Sequence, residues 1–343
     1  MTRRQLTPAR EVHARLADWN AASAEPEPWV ITTSGSTGQA KRVKLSRRAM
    51  RASADATHAR LGGPGQWLLA LPPSYVAGTQ VLLRSVLADT EPVFLDEHDD
   101  LAGAVGSMTG ERRYLSLVPT QLARDLTSSA DVAALQDLDA VLVGGANLDH
   151  DLRATAERHG IRVVATYGMT ETCGGCAYDG IPLDGVQVAV STEGRVSLAG
   201  EVLFDGYDGP SEQTAHVMRD GWFVTDDMGR LDEHGRLEVL GRIDDVVLSG
   251  GVNVPSSAVA RRLREHDEVV DAAVVGVPDP EWGQVVVAVV TGDEVSLEEL
   301  RDFVSSRHPR AWAPRRVVNV DAIPLLDNGK VDRMAMERLA RES

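Results

Sequence analysis

The chain is short of cysteine, of long apolar runs and of positive charge, and each shortage excludes a class of protein. Two cysteines in 343 residues cannot build a disulfide framework, which fits a reducing compartment. No apolar run approaches the ~20 residues that a membrane-spanning helix needs. The first residues, MTRRQLTPAREVHARL, lack the apolar core of a secretory signal, so the expected address is cytoplasmic. The formal net charge of −16 repels polyanions, so neither nucleic acid nor an anionic membrane is an expected partner. An anionic ligand would need Lys, Arg and backbone N–H groups clustered locally against that field. No internal repeat or low-complexity tract interrupts the chain.

What is present is an ordinary globular composition, 43% hydrophobic, with length enough for a large core and two domains. The runs WLLALP (67–72), AVLVGG (140–145) and RVVATYG (162–168) are continuous and apolar and end in Gly or Pro, as strands buried on both faces do. Between such runs lie helical patterns. In SRRAMRASADATHARL, Ser46 stands at the N-cap and Met50, Ala54, Thr57 and Leu61 follow at helical spacing. The alternation predicts an α/β layered body. After Gly221 the texture changes: WFVTDDMGRLDEHGRLEVLG reads as a meander of strands turning at DEHG. A smaller α+β unit follows, in the order helix (SSAVARRLREH), strand (VDAAVVGV), strand (QVVVAVV), helix (SLEELRDFVSSRH), strand (RRVVNV) and helix (RMAMERLARE). The expected division is a large domain over 1–241, a joint at 242–245 and a small domain over 246–343.

The stretch TTSGSTGQAK, ending at Lys41, carries the first chemical signal. The Walker pattern fails, because Gly35 is followed five positions later by Ala40. The dinucleotide fingerprint fails too, since no third glycine opens a helix. Val43 and Leu45 alternate after Lys41, so the loop should join two strands. Gly35 and Gly38 free the backbone to bend around phosphate oxygens, Thr33, Ser34, Ser36 and Thr37 offer hydroxyl donors, and Lys41 adds charge. Taken alone, a solvated Ser/Gly/Thr turn explains the loop as well.

Three distant segments decide between these readings: ATYGMTET (165–172), WFVTDDMGRLDEHGRLEVLGRIDD (222–245) and LLDNGKVDR (325–333). With them, the chain resembles the adenylate-forming superfamily of acyl-CoA synthetases, luciferases and peptide-synthetase adenylation domains, over nearly its whole length from Trp29. Within it, ALPPSYVAGTQVLLRS, YGMTETCGGCAYDGIPLDGV and SGGVNVP are most similar to the branch that ligates 2-succinylbenzoate to coenzyme A in menaquinone biosynthesis, in its short actinobacterial form.

The resemblance implies two half-reactions. A carboxylate attacks the α-phosphorus of ATP, giving an acyl-adenylate and pyrophosphate, and the thiol of coenzyme A then displaces AMP. It implies that Thr33, Ser34, Gly35, Ser36, Thr37, Gly38 and Lys41 hold the departing phosphates, and that Thr170 and Glu171 serve the α-phosphate, with Glu171 holding Mg²⁺. Gly144, Gly145 and Ala146 would lie along the adenine, Tyr167 would stack on it, and Gly168 and Met169 would complete that wall. Asp227 would accept from the ribose hydroxyls and Arg242 would reach the ribose or phosphate. Lys330, in its DNGK turn, would be the catalytic lysine that offsets charge on the α-phosphate. Asp244 falls at the family's hinge, about which the mobile C-terminal domain reorients. Ser249, Gly250 and Gly251 would then line the path of the pantetheine.

The acid pocket is read from Tyr75, Arg84, Gly174 and Gly175. Arg84 stands in the otherwise apolar run VAGTQVLLRSVLA. A buried arginine needs an anion, which is either an internal carboxylate or the second, non-activated carboxylate of the acid. Cys173-x-x-Cys176 has no second cysteine pair and no histidine at ligand spacing, so small pocket-lining residues are expected there rather than zinc.

Four features depart from the family pattern. Only about thirty residues precede the first motif, so one pocket wall is missing and a second subunit, in a homodimer, is its candidate replacement. Ala40 and Arg42 replace Pro and Gly around the loop lysine. Asp226 replaces the Gly of the usual Thr-Gly-Asp and is expected to repel Asp227. Tyr75 stands where many members carry a histidine. Two other readings stay open at this level: a ligase for a benzoate or fatty acid, and a catalytically idle nucleotide-binding module.

Overall fold

The computed structural model describes residues 7–33, 40–293, 295–324 and 331–342. It has the mixed α/β architecture expected, divided into two compact units. One holds Met1–Ala189, Ser197–Val224 and Asp232–Leu237; the other holds Val190–Val196, Thr225–Leu231 and Glu238–Ser343. No described helix is long and apolar enough to cross a membrane.

The first unit is built on a seven-stranded sheet. Its order is Val93–Phe94, Gln66–Leu69, Arg113–Leu117, Ala140–Val143, Val163–Met169, Gly174–Tyr178 and Ile181–Pro182. The first five strands are parallel and the last two antiparallel. Gln66–Leu69 and Ala140–Val143 are buried at every position, which is why their sequences are continuous rather than alternating. Leu115, Val141 and Val143 pack against Leu101, Val105 and Leu135 from neighbouring helices. Leu117 pairs with Val143, and Val143 with Ala165. Arg113–Leu117 and Ala140–Val143 therefore end level, and the chain leaves the sheet at Gly144 while Thr166 continues in its own strand, paired with Tyr178. Carboxyl ends of parallel strands are where open α/β sheets bind ligands.

Two further helices pack against this sheet. Arg47–Leu61 starts at Ser46, whose Oγ accepts from Ala49 N at 3.4 Å, and stops at Gly62 in the left-handed region with φ 95°. Met50, Ala54, Thr57 and Leu61 are all buried, as their spacing predicts. Val76–Leu87 carries Arg84 and begins against the turn at Pro72. A separate three-stranded sheet pairs Trp29–Thr33 with Lys41–Leu45 and then with Gly206–Tyr207. Thr33 opposite Lys41 closes the base of the glycine-rich loop, which joins two strands as expected.

In the meander, strand Trp222–Leu231 is followed by Leu237–Arg242, with Gly235 N donating to Asp232 O at 3.0 Å in the turn. The second unit centres on strands Val269–Asp279 and Gly283–Gly292. Val274, Val286 and Ala288 face the helices Ser256–Arg264 and Leu297–Ser305, whereas Val275, Val287 and Val289 face Met336 and Ala340. Two-residue alternation between two buried faces again produces an uninterrupted apolar sequence. The helices and strands expected here are all present. The structure adds a hairpin ahead of the first expected helix, in which Val246–Ser249 pairs with Val252–Pro255. Gly250 (φ 56°) and Gly251 (φ 77°) form the two-residue turn between them, the positive-φ pair that a tight hairpin requires.

Gly78 tests the seating of the Arg84 helix. A Cβ there would fall 2.3 Å from the Pro72 carbonyl oxygen, so Gly78→Ala must displace the helix. Urea unfolding should show a loss of about 2 kcal/mol.

Candidate active site

Strand Val163–Met169 runs out beyond the level strand ends, and its last five residues are only half-buried. Gly144 lies beside it so closely that an added Cβ would sit 2.2 Å from Thr166 Oγ1. Strand packing thus demands glycine at 144, while Gly145 and Ala146 are exposed at the rim. Tyr167, Gly168 and Met169 are half-buried, and the Thr170–Thr172 turn follows at once. That turn is held by Thr172, whose Oγ1 accepts from Met169 N at 3.0 Å and donates to Gly174 O at 2.7 Å.

Glu171 is fixed twice. Its carbonyl accepts from Phe204 N at 2.9 Å, and its carboxylate accepts from the Tyr207 hydroxyl at 2.9 Å. The ammonium of Lys41 lies 5.1 Å from the Tyr207 ring centroid, within cation–π range. Lys41 is one of three lysines in the chain, with Lys44 and Lys330. A cation, a phenol and a carboxylate from three distant segments are thereby gathered, and sequence reasoning missed the middle one. Tyr207 stands in LFDGYDG, on a two-residue strand too short for any periodicity to mark it. Thr33 Oγ1 donates to Lys41 O at 3.4 Å at the base of the loop. Ser34, Gly35, Ser36, Thr37 and Gly38, and likewise Lys330, lie outside the described residues.

The residues expected around the acid separate into two places. Arg84 is 4% exposed, with its guanidinium 4.9 Å from the Trp67 ring and the Tyr178 hydroxyl beside it. Gly174 approaches Gln80, one helical turn from Arg84, and Gly175 approaches the Tyr178 ring. Tyr75, by contrast, is nine residues earlier on the same helix, about 13 Å along its axis. It is 56% exposed and lines a groove of about 820 Å³ with Trp19, Trp29 and Val30. Among the described residues no carboxylate forms an ion pair with Arg84, so the internal-partner alternative is unsupported. Burial and the nearby Arg84 charge push the His58 imidazole down to about 4. Cys173 and Cys176 are buried thiols, and burial pushes the Cys173 thiol up.

In the second unit one guanidinium ties three motif carboxylates. Arg242 lies 3.0 Å from Asp244, 3.5 Å from Asp226 and 3.8 Å from Asp227. Asp226 is also held by Arg195 at 2.8 Å, and Arg195 Nε donates to Thr225 O at 2.7 Å. The repulsion expected within the Asp226–Asp227 doublet is therefore offset by two arginines. Arg195 escaped sequence reasoning because its partner is 31 residues away on a paired strand. Ser249 is buried at the hairpin end, and a Cβ on Gly250 would meet the Trp282 ring at 2.6 Å.

Residues 8–203 match the AMP-binding enzyme family, and residues 259–330 match the AMP-binding enzyme C-terminal domain. The chain belongs to the AMP-binding enzyme family. Within that family it is 45% identical over 320 residues to the probable 2-succinylbenzoate–CoA ligase of Mycobacterium tuberculosis, covering 90% of this chain and 83% of the relative. It is 29% identical to the 2-succinylbenzoate–CoA ligase of Enterococcus faecalis, over 92% of this chain and 70% of that one. The solved o-succinylbenzoate CoA synthetase of Bacillus subtilis, in complex with its acyl-adenylate intermediate, superposes with a TM-score of 0.73 at 25% identity, covering 91% of this chain and 70% of that chain. Apo MatB from Rhodopseudomonas palustris reaches a TM-score of 0.78 at 25% identity, over 91% and 68%.

Two measurements follow from the electrostatics of this family member. Between the ordinary histidine value of 6.5 and about 4, the unfolded chain binds a proton that folded His58 refuses. Its contribution is complete above pH 6.5 and is lost as pH falls, at up to about 1.4 kcal/mol per pH unit. His58→Gln should flatten the pH dependence of the urea midpoint by that amount relative to the parent. Arg195→Ala should raise the KM for ATP about threefold by leaving the aspartate doublet on Arg242 alone. Adding Asp226→Gly should restore it, as initial rates will show.

Proposed function

We propose that this chain is an ATP-dependent acid–thiol ligase that activates 2-succinylbenzoate as its acyl-adenylate and passes the acyl group to coenzyme A. The observation that carries this reading is the 45% identity, across nine-tenths of the chain, to a relative named for that reaction. Arg84 supports the choice of acid: a buried guanidinium without a described carboxylate partner suits a dicarboxylic substrate.

In this reading residues 1–241 bind ATP and the acid, 242–245 form the hinge, and 246–343 carry Lys330. Thr33 to Gly38 and Lys41 take the β- and γ-phosphates as they leave. Gly144 to Ala146 with Tyr167, Gly168 and Met169 receive the adenine, while Asp227 accepts from the ribose hydroxyls. Thr170 donates to the α-phosphate, and Lys330 offsets the charge that grows as the acid carboxylate attacks. Glu171 suits Mg²⁺, because the bond from Tyr207 engages one carboxylate oxygen and leaves the other as a hard donor. When bound, the ion supplies charge neutralisation at the phosphate oxygens. Arg242 bonds Asp244 and flanks Asp227, so turning the backbone at Asp244 would change the charge beside the ribose site. Ser249 to Gly251 line the path of the pantetheine in the thioester-forming step.

Pyrophosphate release measured over a panel of acids, with and without coenzyme A, tests the proposal. The expected result is release that requires 2-succinylbenzoate, with thioester and AMP formed only when coenzyme A is added. Release with benzoate or a fatty acid in its place, or with no acid of the panel, would overturn it.

A further inference from the structure

The first unit buries a polar cluster that extends beyond the assigned acid residues. Arg84, His58, Trp67, Gln80 and Tyr178 are each less than a tenth exposed. Among the described residues, Arg84 Nε, His58 Nε2, Trp67 Nε1 and Gln80 Oε1 find no hydrogen-bond partner. Unpaired polar atoms gathered in one buried place mark a site built for something polar that is not part of the chain. The charge of the cluster is set by Arg84 alone, because His58 beside it is held neutral, and that selects an anion.

The direction of the hydrogen bonds behind Arg84 can be deduced. Thr57 Oγ1 donates to the Ser53 carbonyl at 2.9 Å. A hydroxyl has one proton, so towards the Tyr178 hydroxyl, 2.9 Å away, Thr57 accepts and Tyr178 donates. The Tyr178 oxygen then has only lone pairs to offer the guanidinium beside it. One backbone carbonyl thus polarises a chain from Ser53 through Thr57 and Tyr178 to Arg84, while the Trp67 ring covers the guanidinium face.

We propose that Tyr178 and Thr57 are positioning residues that orient Arg84 towards the non-activated carboxylate of the acid, and so set selectivity for a dicarboxylate. This rests on the ligase reading and adds to it two residues that touch neither the reacting carboxylate nor ATP.

The test compares 2-succinylbenzoate with benzoylpropanoate, the same skeleton without its ring carboxylate, followed as substrate or, if not turned over, as competitive inhibitor. Tyr178→Phe should raise the KM for the dicarboxylate about tenfold. Its kcat and the affinity for benzoylpropanoate should stay near the parent's. Thr57→Val should shift selectivity the same way by less, and Thr57→Ser, which keeps the hydroxyl, should behave as the parent. A parental KM in Tyr178→Phe, or equal losses for both acids, would overturn the proposal. Arg84→Met separates the two layers. If it too treats both acids alike, the reading of Arg84 as the carboxylate receptor falls. If it discriminates while Tyr178→Phe does not, only the positioning role falls.

Discussion

The parallel pairing of Leu117, Val143 and Ala165 is the constraint on which the first unit's arrangement turns. This register brings the end of Ala140–Val143 beside the middle of Val163–Met169, so that Gly144 turns away against Thr166 while Tyr167 to Met169 continue outward, paired with Gly174–Tyr178, into the Thr170–Thr172 turn. Motif residues from Gly144 to Glu171 therefore meet at one rim, although none of them makes the pairing that puts them there.

Electrostatics adds a second layer. The net charge of −16 disfavours any nucleotide or dicarboxylate at long range, so affinity has to be local. The chain meets this with fixed rather than numerous cations. Lys41 is steered by the Tyr207 ring, which also bonds Glu171, so charge of both signs is held at a set spacing. Arg84 lies over the Trp67 ring with Tyr178 beside it, and Arg242 is shared among three aspartates. Each cation is kept from collapsing onto a single carboxylate. The Asp226 departure from the family pattern is tolerable for the same reason, because Arg195 supplies the extra charge.

The helices and long strands of the second unit were legible in the sequence, whereas in the first unit only some buried strands and one helix were. Apolar runs ending in Gly or Pro located the buried strands, and Ser46 with its helical spacing located the first long helix behind the glycine-rich loop. The hairpin strand Val252–Pro255 was not legible, because its four residues are explained by the double-glycine turn rather than by any alternation. Tyr207 and Arg195 escaped for another reason: each acts on a partner about thirty residues or more away, and no spacing rule reaches across a sheet. Tyr75 and Arg84, neighbours in one quoted segment, are carried apart by the rise of their helix.

The sequence by itself determined the order of strands and helices, the family and the identity of the groups that could do its chemistry. These depend on local backbone preference and on side-chain types, which are written residue by residue. Only the tertiary structure decided which groups share a hydrogen bond, which buried cation has no carboxylate partner among the described residues, and which glycine is required by packing. Those outcomes depend on distances between segments far apart in the chain, set by strand register and by the burial of both sheet faces.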